Sequence, residues 1–143
     1  MKTLLGTGNV HLALLVCRLW LGAMMLYHGS LKLFGGMERF LETVTSKLHL
    51  PAALGWLAAG AEFMGGALVA IGLLTRPAAI GIACTMAVAA FGAHAASPWA
   101  QKEFALSYFV FALALIIAGA GQFSVDALIT AKSSDVELSE RVG

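Results

Sequence analysis

A single carboxylate interrupts the most apolar part of this sequence. Glu62 lies in WLAAGAEFMGGALVAIGLL, which runs from Trp56 to Leu74 and has no other ionisable side chain. An ionised group at the centre of a bilayer costs at least about 2.5 to 3.5 kcal/mol, so a carboxylate there needs a partner or a function. Arg18 and Lys32 are the candidate partners, and the guanidinium fork of Arg18 favours it as the ion-pair partner. Glu62 is then either a proton- or ligand-handling group or half of an ion pair that fixes helix register.

A second set of polar residues could also carry chemistry. It consists of His28, Lys32, His94 and Glu103, with Tyr27, Trp99 and Tyr108 nearby in sequence. Two imidazoles, an ammonium and a carboxylate could bind a metal or hydrogen-bond the carbonyls of a quinone-like redox carrier. The sequence contains no His-x-x-x-His or Glu-x-x-His spacing, so neither a metal site nor a haem is favoured over the quinone. Taken singly, these residues have ordinary explanations, such as a snorkelling lysine or a histidine that caps a helix.

The composition places these residues in a membrane protein. The chain is 59% hydrophobic and 12% charged, with a mean hydropathy of +0.85, far from the usual soluble mix of about half apolar and a quarter charged. A net charge of +1 gives no basic surface for nucleic acid, which is excluded as a partner. At about 20 residues per spanning helix, 143 residues hold roughly four spans, so we predict a single membrane domain over residues 1–143.

Four apolar segments define the predicted spans. Their bounds are about 11–34, 52–74, 77–96 and 103–121. Because the connections are short, consecutive spans must be antiparallel neighbours. The predicted fold class is therefore all-α, a four-helix transmembrane bundle in up-down-up-down order.

The connections add three expectations. Gly35 and Gly36 favour a stop of the first helix, and the polar residues 37–50, with apolar residues at helical spacing, could form a short interfacial helix between spans one and two. Gly119 and Gly121 would end span four. The free backbone groups at that end would be bonded by Ser124 or Asp126, so these four residues are interpreted as structural. A polar tail covers residues 131–143.

The antiparallel order fixes relative depth in the bundle. It places His28, Lys32, His94 and Glu103, here called the far-end cluster, at one depth on the side away from the termini. Glu62 lies near mid-membrane, and Arg18 lies towards the terminal side. Two helical stripes mix small residues with charge, and we expect both to be interior seams because small residues let helix backbones approach closely. These stripes are Arg18, Gly22, Met25, Gly29 and Lys32, and Gly55, Ala59, Glu62, Gly66 and Val69.

Two cysteines fall inside the apolar segments. Cys17 and Cys84 lie at similar depth on the terminal side, so a disulfide between spans one and three is geometrically conceivable. Free, buried cysteines that behave as small hydrophobic residues are the preferred interpretation.

Four sequence fragments together resemble a known family. They are HGSLKLFGG from His28, AEFMGGALVAIGLLTRPAA from Ala61, AHAASPWAQKEFAL from Ala93 and GAGQFSVDAL from Gly119. In this order and spacing the chain resembles the DoxX family of small integral membrane proteins, from about residue 18 to residue 128. The residues that match the family pattern are Arg18, Gly29, Lys32, Glu62, Gly65, Gly66, Thr75, Arg76, His94, Glu103, Gly119, Gly121, Ser124 and Asp126.

The resemblance implies a multi-pass protein of the bacterial cytoplasmic (inner) membrane. The family is named after a subunit associated with quinone-linked oxidation of sulfur compounds, and its members are linked to redox partners, enzyme maturation and membrane-protein chaperoning. The positive charges flanking the spans give no usable orientation bias, and the resemblance favours both termini in the cytoplasm.

Three hypotheses of function follow. In the first, the chain is a redox-associated subunit that binds a quinone-like carrier in the inward-facing polar cluster, with His28, His94 and Glu103 as hydrogen-bonding or proton-transfer groups, Lys32 tuning their charge and Glu62 relaying protons or anchoring Arg18. In the second, it is a non-enzymatic membrane scaffold or assembly factor for a partner protein. The third is transport of a small substrate by a homo-oligomer. Whether the chain is an oxidoreductase subunit or an accessory protein stays open.

Overall fold

The computed structural model describes the backbone of residues 9–142 and the side chains of residues 9–133. Over this part of the chain the regular structure is helical, with no strand. The α-helices are α1 (Val10–Leu31), α2 (Met37–Glu42), α3 (Ala52–Ile71), α4 (Thr75–Val88), α5 (Trp99–Ala118) and α6 (Val125–Val142). Three π-helical turns extend them, at Lys32–Gly36, Thr43–Lys47 and Ala89–Ala93.

Four helical segments are long and apolar enough to cross a membrane. They are Val10–Lys47, Ala52–Ile71, Thr75–Ala93 and Trp99–Ala118. α1 packs against α3, α3 against α4 and α4 against α5, so chain neighbours among the spans are also neighbours in space. The predicted all-α four-helix bundle is confirmed. Large apolar side chains such as Trp20, Leu57 and Ile117 face outwards, which fits a lipid bilayer around the bundle.

Proline and glycine define the ends of the spanning helices. Pro51 and Pro98 directly precede α3 and α5, because proline suits a helix start but not its interior. α3 ends at Gly72, whose left-handed backbone (φ 74°) is the usual conformation after a helix end.

The predicted helix stop at Gly35–Gly36 is wrong. The first helix continues through both glycines as the π-helical turn Lys32–Gly36 and then as α2. A wider turn keeps backbone groups hydrogen-bonded where a true helix end would leave several N–H and C=O groups without partners, which is costly near lipid. The short helix expected between spans one and two is present as α2, but it continues the first helix. The polar tail predicted at 131–143 lies in α6 as far as Val142, and residue 143 is outside the described residues.

The α1–α3 contact is a seam of glycines. A Cβ atom at Gly66 would lie 2.7 Å from the amide nitrogen of Leu26, and one at Gly29 would lie 2.6 Å from the amide nitrogen of Phe63. The two backbones therefore approach as closely as the absence of side chains allows. The expectation that the two small-residue stripes are interior is confirmed, since all their residues are buried except the half-buried Lys32.

Both cysteines are free, but they are not buried as expected. Cys17 is half-buried and Cys84 is exposed on the outer face of α4. A position on the lipid-facing side of a helix explains this, because apolar side chains there need no protein contact.

Candidate functional site

The buried carboxylate of Glu62 is held by Lys32. The Nζ atom of Lys32 lies 2.5 Å from each carboxylate oxygen of Glu62. The two side chains form the one ion pair found among the described side chains. The Glu62 side chain is 1% exposed, whereas that of Lys32 is 24% exposed. The ring of Phe40, from α2, lies 4.4 Å from the same Nζ atom, a cation–π distance. The pair therefore joins the π-helical turn that follows α1 to α3 at the far end, and the lysine side chain is open to its surroundings.

The predicted pairing of Arg18 with Glu62 is wrong. α1 and α3 run antiparallel, and Gly22 of α1 meets Gly66 and Ala70 of α3, which sets the register. That register places Arg18 at Gly72, ten residues beyond Glu62, or about 15 Å at 1.5 Å per residue. The sequence argument ranked the partners by chemistry, but the glycine register decides which one can reach.

Arg18 instead ties down the connection between α5 and α6. Its side chain is 1% exposed, and its guanidinium donates hydrogen bonds to the carbonyl oxygens of Ala120 and Phe123, each at 2.5 Å. Backbone carbonyls, rather than a carboxylate, thus receive this buried cation. Arg18 therefore has a structural role at the end of the bundle opposite the Lys32–Glu62 pair.

An imidazole and a phenol lie beside the ion pair along α1. His28 is one helical turn before Lys32, and its ring packs edge-on against Tyr108 of α5 with the centroids 5.8 Å apart. Tyr27 makes a similar contact with His28 at 5.6 Å. Tyr108 is buried, so the His28–Tyr108 contact joins α1 to α5 inside the bundle. The far end thus combines an ion pair and an aromatic pair on successive turns of one helix.

The DoxX family model matches residues 13–95, which is more than half of the chain. The chain belongs to the DoxX family. Comparison with curated proteins gives no match, and comparison with solved structures gives none either. The match in this DoxX chain covers Arg18, His28, Lys32, Glu62 and His94.

The other two members of the far-end cluster are placed less closely. His94 is half-buried and directly follows the π-helical turn Ala89–Ala93, where its backbone N–H donates a hydrogen bond to the carbonyl of Ala89. The side chain of Glu103 is exposed on α5. Within residues 9–133, no hydrogen bond, ion pair or ring contact joins either side chain to the Lys32–Glu62 pair, so their part in a common site stays a prediction. No group of three or more His, Cys, Asp or Glu in this part of the DoxX chain is arranged to hold a metal ion.

A groove lies next to the ion pair on the outer side of the bundle. It has a volume of about 660 Å³, and Leu33, Phe34, Gly35 and Met37 are among the residues that line it. It follows the π-helical turn that begins with Lys32. The charged side chains of Glu38, Arg39 and Glu42 complete the lining, so the groove is polar on one side and apolar along the π-helical turn.

Phe40 is a site residue that sequence reasoning missed. It lies eight residues after Lys32, and this spacing returns to the same face of a continuous helix. The signal was present in the sequence, but the assumed helix stop at Gly35–Gly36 removed the reason to look for it.

The opposite end of the DoxX chain is a network of backbone hydrogen bonds. Ser124 accepts a hydrogen bond from the N–H of Ala127 at 3.1 Å and so caps the start of α6. The carboxylate of Asp126 accepts hydrogen bonds from the N–H groups of Leu74 and Thr75, at 2.8 and 3.0 Å. The hydroxyl of Ser124 also donates a hydrogen bond of 2.5 Å to the carbonyl of Gly121, at the end of predicted span four. Ser124 therefore bonds free backbone groups at both ends of the α5–α6 connection, whereas Asp126 bonds those at the start of α4.

Asp126 is held in its ionised form by this network. Burial raises the pKa of the Asp126 carboxyl, but the N–H groups of Thr75 and Leu74 and the positive charge of Arg18 together outweigh it, so the pKa is lowered. Gly119 and Gly121 turn the chain into this network with left-handed φ values of 78° and 75°.

Proposed function

We propose that this DoxX-family chain is a redox-associated membrane subunit that binds a quinone-like carrier at its far end. The observation that carries the proposal is the asymmetry of the ion pair, in which Glu62 is buried while Lys32 is partly exposed. A lysine ammonium has three N–H donors. Two donate to Glu62, so the third is free to donate to a carbonyl oxygen of a bound ring.

The neighbouring groups suit proton handling. Reduction of a quinone to a quinol consumes two electrons and two protons, and the electrons would come from a redox partner protein. His28 would transfer the two protons in turn to the carrier's oxygens, taking up the second from the relay. Lys32 would keep its proton and its charge beside Glu62 and would only donate a hydrogen bond to a carrier oxygen. Tyr108 would orient the ring of His28 through their edge-on contact. His94 and Glu103 are proposed to join the relay at the same end of the bundle.

The groove beside Lys32 would receive the carrier's ring. Its lining combines the apolar side chains of Leu33, Phe34 and Met37 with the charged side chains of Glu38, Arg39 and Glu42. A ring with polar edges would contact both kinds of side chain. Phe40 lies over Lys32, so entry of a ring would require it to exchange this contact for a stacking contact with the ring.

The test is carrier binding by purified protein in mild detergent. Extractable small molecules are identified by mass spectrometry, and binding of a short-chain ubiquinone is followed by quenching of tryptophan fluorescence. Lys32→Met combined with Glu62→Gln removes both charges without leaving one buried and unpaired, and it is expected to abolish binding. Lys47→Gln, at an exposed lysine in the same helical segment, is the control and should bind as the wild type does. Equal binding by the wild type and the double variant would rule out the site.

The alternative is a non-enzymatic scaffold or assembly factor. It is favoured by the contacts of Glu62, because both of its carboxylate oxygens accept hydrogen bonds from Lys32. An internal ion pair of this kind can fix helix register without any further function. Under this alternative the wild type carries no extractable carrier and co-purifies with one partner protein in stoichiometric amount. Small-substrate transport by a homo-oligomer stays a prediction from the sequence.

The proposed location is the bacterial inner membrane, with both termini in the cytoplasm. It rests on the family and on four helices able to span a bilayer. His28, Lys32 and Glu62 would then lie towards the outer face. Cysteine labelling at residue 46, in the segment between α2 and α3, with a membrane-impermeant reagent tests this orientation.

A further inference from the structure

A second groove lies at the opposite end of the bundle, where α5 ends and α6 begins. It has a volume of about 480 Å³ and is lined by Arg76, by the turn from Gly119 to Gly121, and by Ala127 and Ala131 on one side of α6. Neither the far-end cluster nor the proposed carrier site includes any of these residues. What binds here is therefore a separate question.

The cation in this groove is exposed and only lightly engaged. The guanidinium of Arg76 donates one hydrogen bond of 3.3 Å to the carbonyl of Ile117, in the last turn of α5. A Cβ atom at Gly119 would lie 3.6 Å from the Nε and Nη2 atoms of Arg76, so the backbone passes directly beside the guanidinium. Several N–H donors of Arg76 remain available to a ligand.

The acidic side chain in the lining does not cancel this charge. Asp126 directs its two oxygens to the N–H groups of Leu74 and Thr75. The buried guanidinium of Arg18 also acts on the Asp126 carboxylate and stabilises its negative charge. Both oxygens of Asp126 are thus engaged by backbone N–H groups, and no hydrogen bond or ion pair among the described side chains joins Asp126 to the guanidinium of Arg76.

The position of the groove identifies the kind of ligand. Ile117, in the last turn of α5, is 79% exposed, and Leu74, which directly precedes α4, is 58% exposed. Leu128 and Ile129 of α6 are also exposed. Exposed apolar side chains next to an exposed cation are typical of the boundary between the hydrocarbon core and the head groups, where phosphate is the abundant anion.

We propose that this groove binds a phospholipid, with its phosphate held by Arg76 and its acyl chains along the exposed face of α5 that carries Ile117. The planar guanidinium fork matches two phosphate oxygens, a geometry that a lysine cannot reproduce. The small residues Gly119, Ala127 and Ala131 leave room for the head group beside the arginine. The lipid would fasten the α5–α6 turn to the membrane surface.

The test uses delipidated full-length protein in mild detergent, titrated with phosphatidylglycerol and read by native mass spectrometry. Arg76→Gln is expected to raise the dissociation constant at least about tenfold, as loss of charge-assisted hydrogen bonds does. Arg76→Lys, which keeps the charge but not the fork, should fall between the two. Lys132→Gln is the matched control, because it removes an exposed cation of α6 that does not line the groove, and it should change the constant less than twofold.

Two further comparisons decide the outcome. Diacylglycerol with the same acyl chains should bind at least about tenfold more weakly than phosphatidylglycerol, and inorganic phosphate should not compete at equal concentration. Ala131→Trp fills the groove from an exposed position and keeps Arg76, so it should weaken lipid binding even if Arg76→Gln fails to fold. Equal affinity of the wild type and Ala131→Trp, or of phosphatidylglycerol and diacylglycerol, would overturn the proposal. Competition by inorganic phosphate would assign the groove to a soluble anion instead. None of these results depends on carrier binding at the far end.

Discussion

The ammonium of Lys32 lies 2.5 Å from both carboxylate oxygens of Glu62, across the seam between α1 and α3. A bidentate contact of this kind needs both helices in one register, and Gly29 and Gly66 set that register by letting the backbones touch. The ion pair therefore depends on the seam. Its energetic contribution can be separated from its chemistry only by changing the two residues together.

The ion pair predicts a strong non-additivity between its two partners. Lys32→Met alone leaves the buried Glu62 carboxylate unpaired and is expected to lower the free energy of unfolding by about 3 kcal/mol or more. Lys32→Met with Glu62→Gln removes both charges and should recover most of that loss. Unfolding in detergent followed by circular dichroism measures both. A double variant as unstable as the single one would show that the ion pair itself, rather than relief of a buried charge, stabilises the bundle.

The glycine seam predicts opposite effects of one substitution at two positions of α3. Gly66→Ala places a Cβ atom 2.7 Å from the Leu26 amide nitrogen, so the helices must separate, and we expect a loss of about 1 to 3 kcal/mol. Gly60→Ala is the matched control, because no atom lies within 4 Å of its Cβ position and alanine favours the helix by up to about 1 kcal/mol. Thermal unfolding in the same detergent compares the two. Equal midpoints would contradict the seam.

The seam also shows how much of the fold could be predicted from the sequence. Hydropathy gives the four spanning helices, because each spanning segment must satisfy its backbone internally. The stripes of small residues give the buried faces of α1 and α3. The helix continuing through Gly35–Gly36 could not be predicted, since glycine pairs favour a stop in water and a π-helical turn leaves no distinct sequence pattern.

The candidate site was predicted only in part, for a physical reason. The residue types and their common depth are in the sequence, and Lys32 was one of two named partners for Glu62. The choice between Lys32 and Arg18 depends on how far α1 is displaced along α3. A displacement of about ten residues would bring Arg18 to Glu62 in place of Lys32. Whether His94 and Glu103 approach the pair depends on side-chain directions at helix ends, which periodicity does not determine.

The buried guanidinium of Arg18 predicts a local effect at the α5–α6 connection. Arg18→Met removes the donors to the carbonyls of Ala120 and Phe123 and should accelerate amide hydrogen exchange in residues 119–126. The free energy of local opening in this segment should fall by about 3 kcal/mol or more. Arg18→Lys should restore only part of the protection, because an ammonium lacks the fork that reaches both carbonyls. Arg39→Met, at an exposed arginine of α2, is the control and should leave this exchange unchanged. Uniform acceleration across all helices in Arg18→Met would indicate global destabilisation instead.

The hydrogen bonds of Asp126 predict loss of stability in acid. The pKa of this carboxyl is lowered in the folded chain, so its contribution is complete well above the unfolded value of about 4 and is lost as the pH falls through the lower folded pKa. Asp126→Asn cannot ionise, and its unfolding midpoint should therefore fall less than that of the wild type between pH 7 and pH 3. Glu38→Gln, which removes an exposed carboxylate of α2, should keep the wild-type pH profile. Parallel midpoint curves for the wild type and Asp126→Asn would mean that the cap on α4 does not depend on charge.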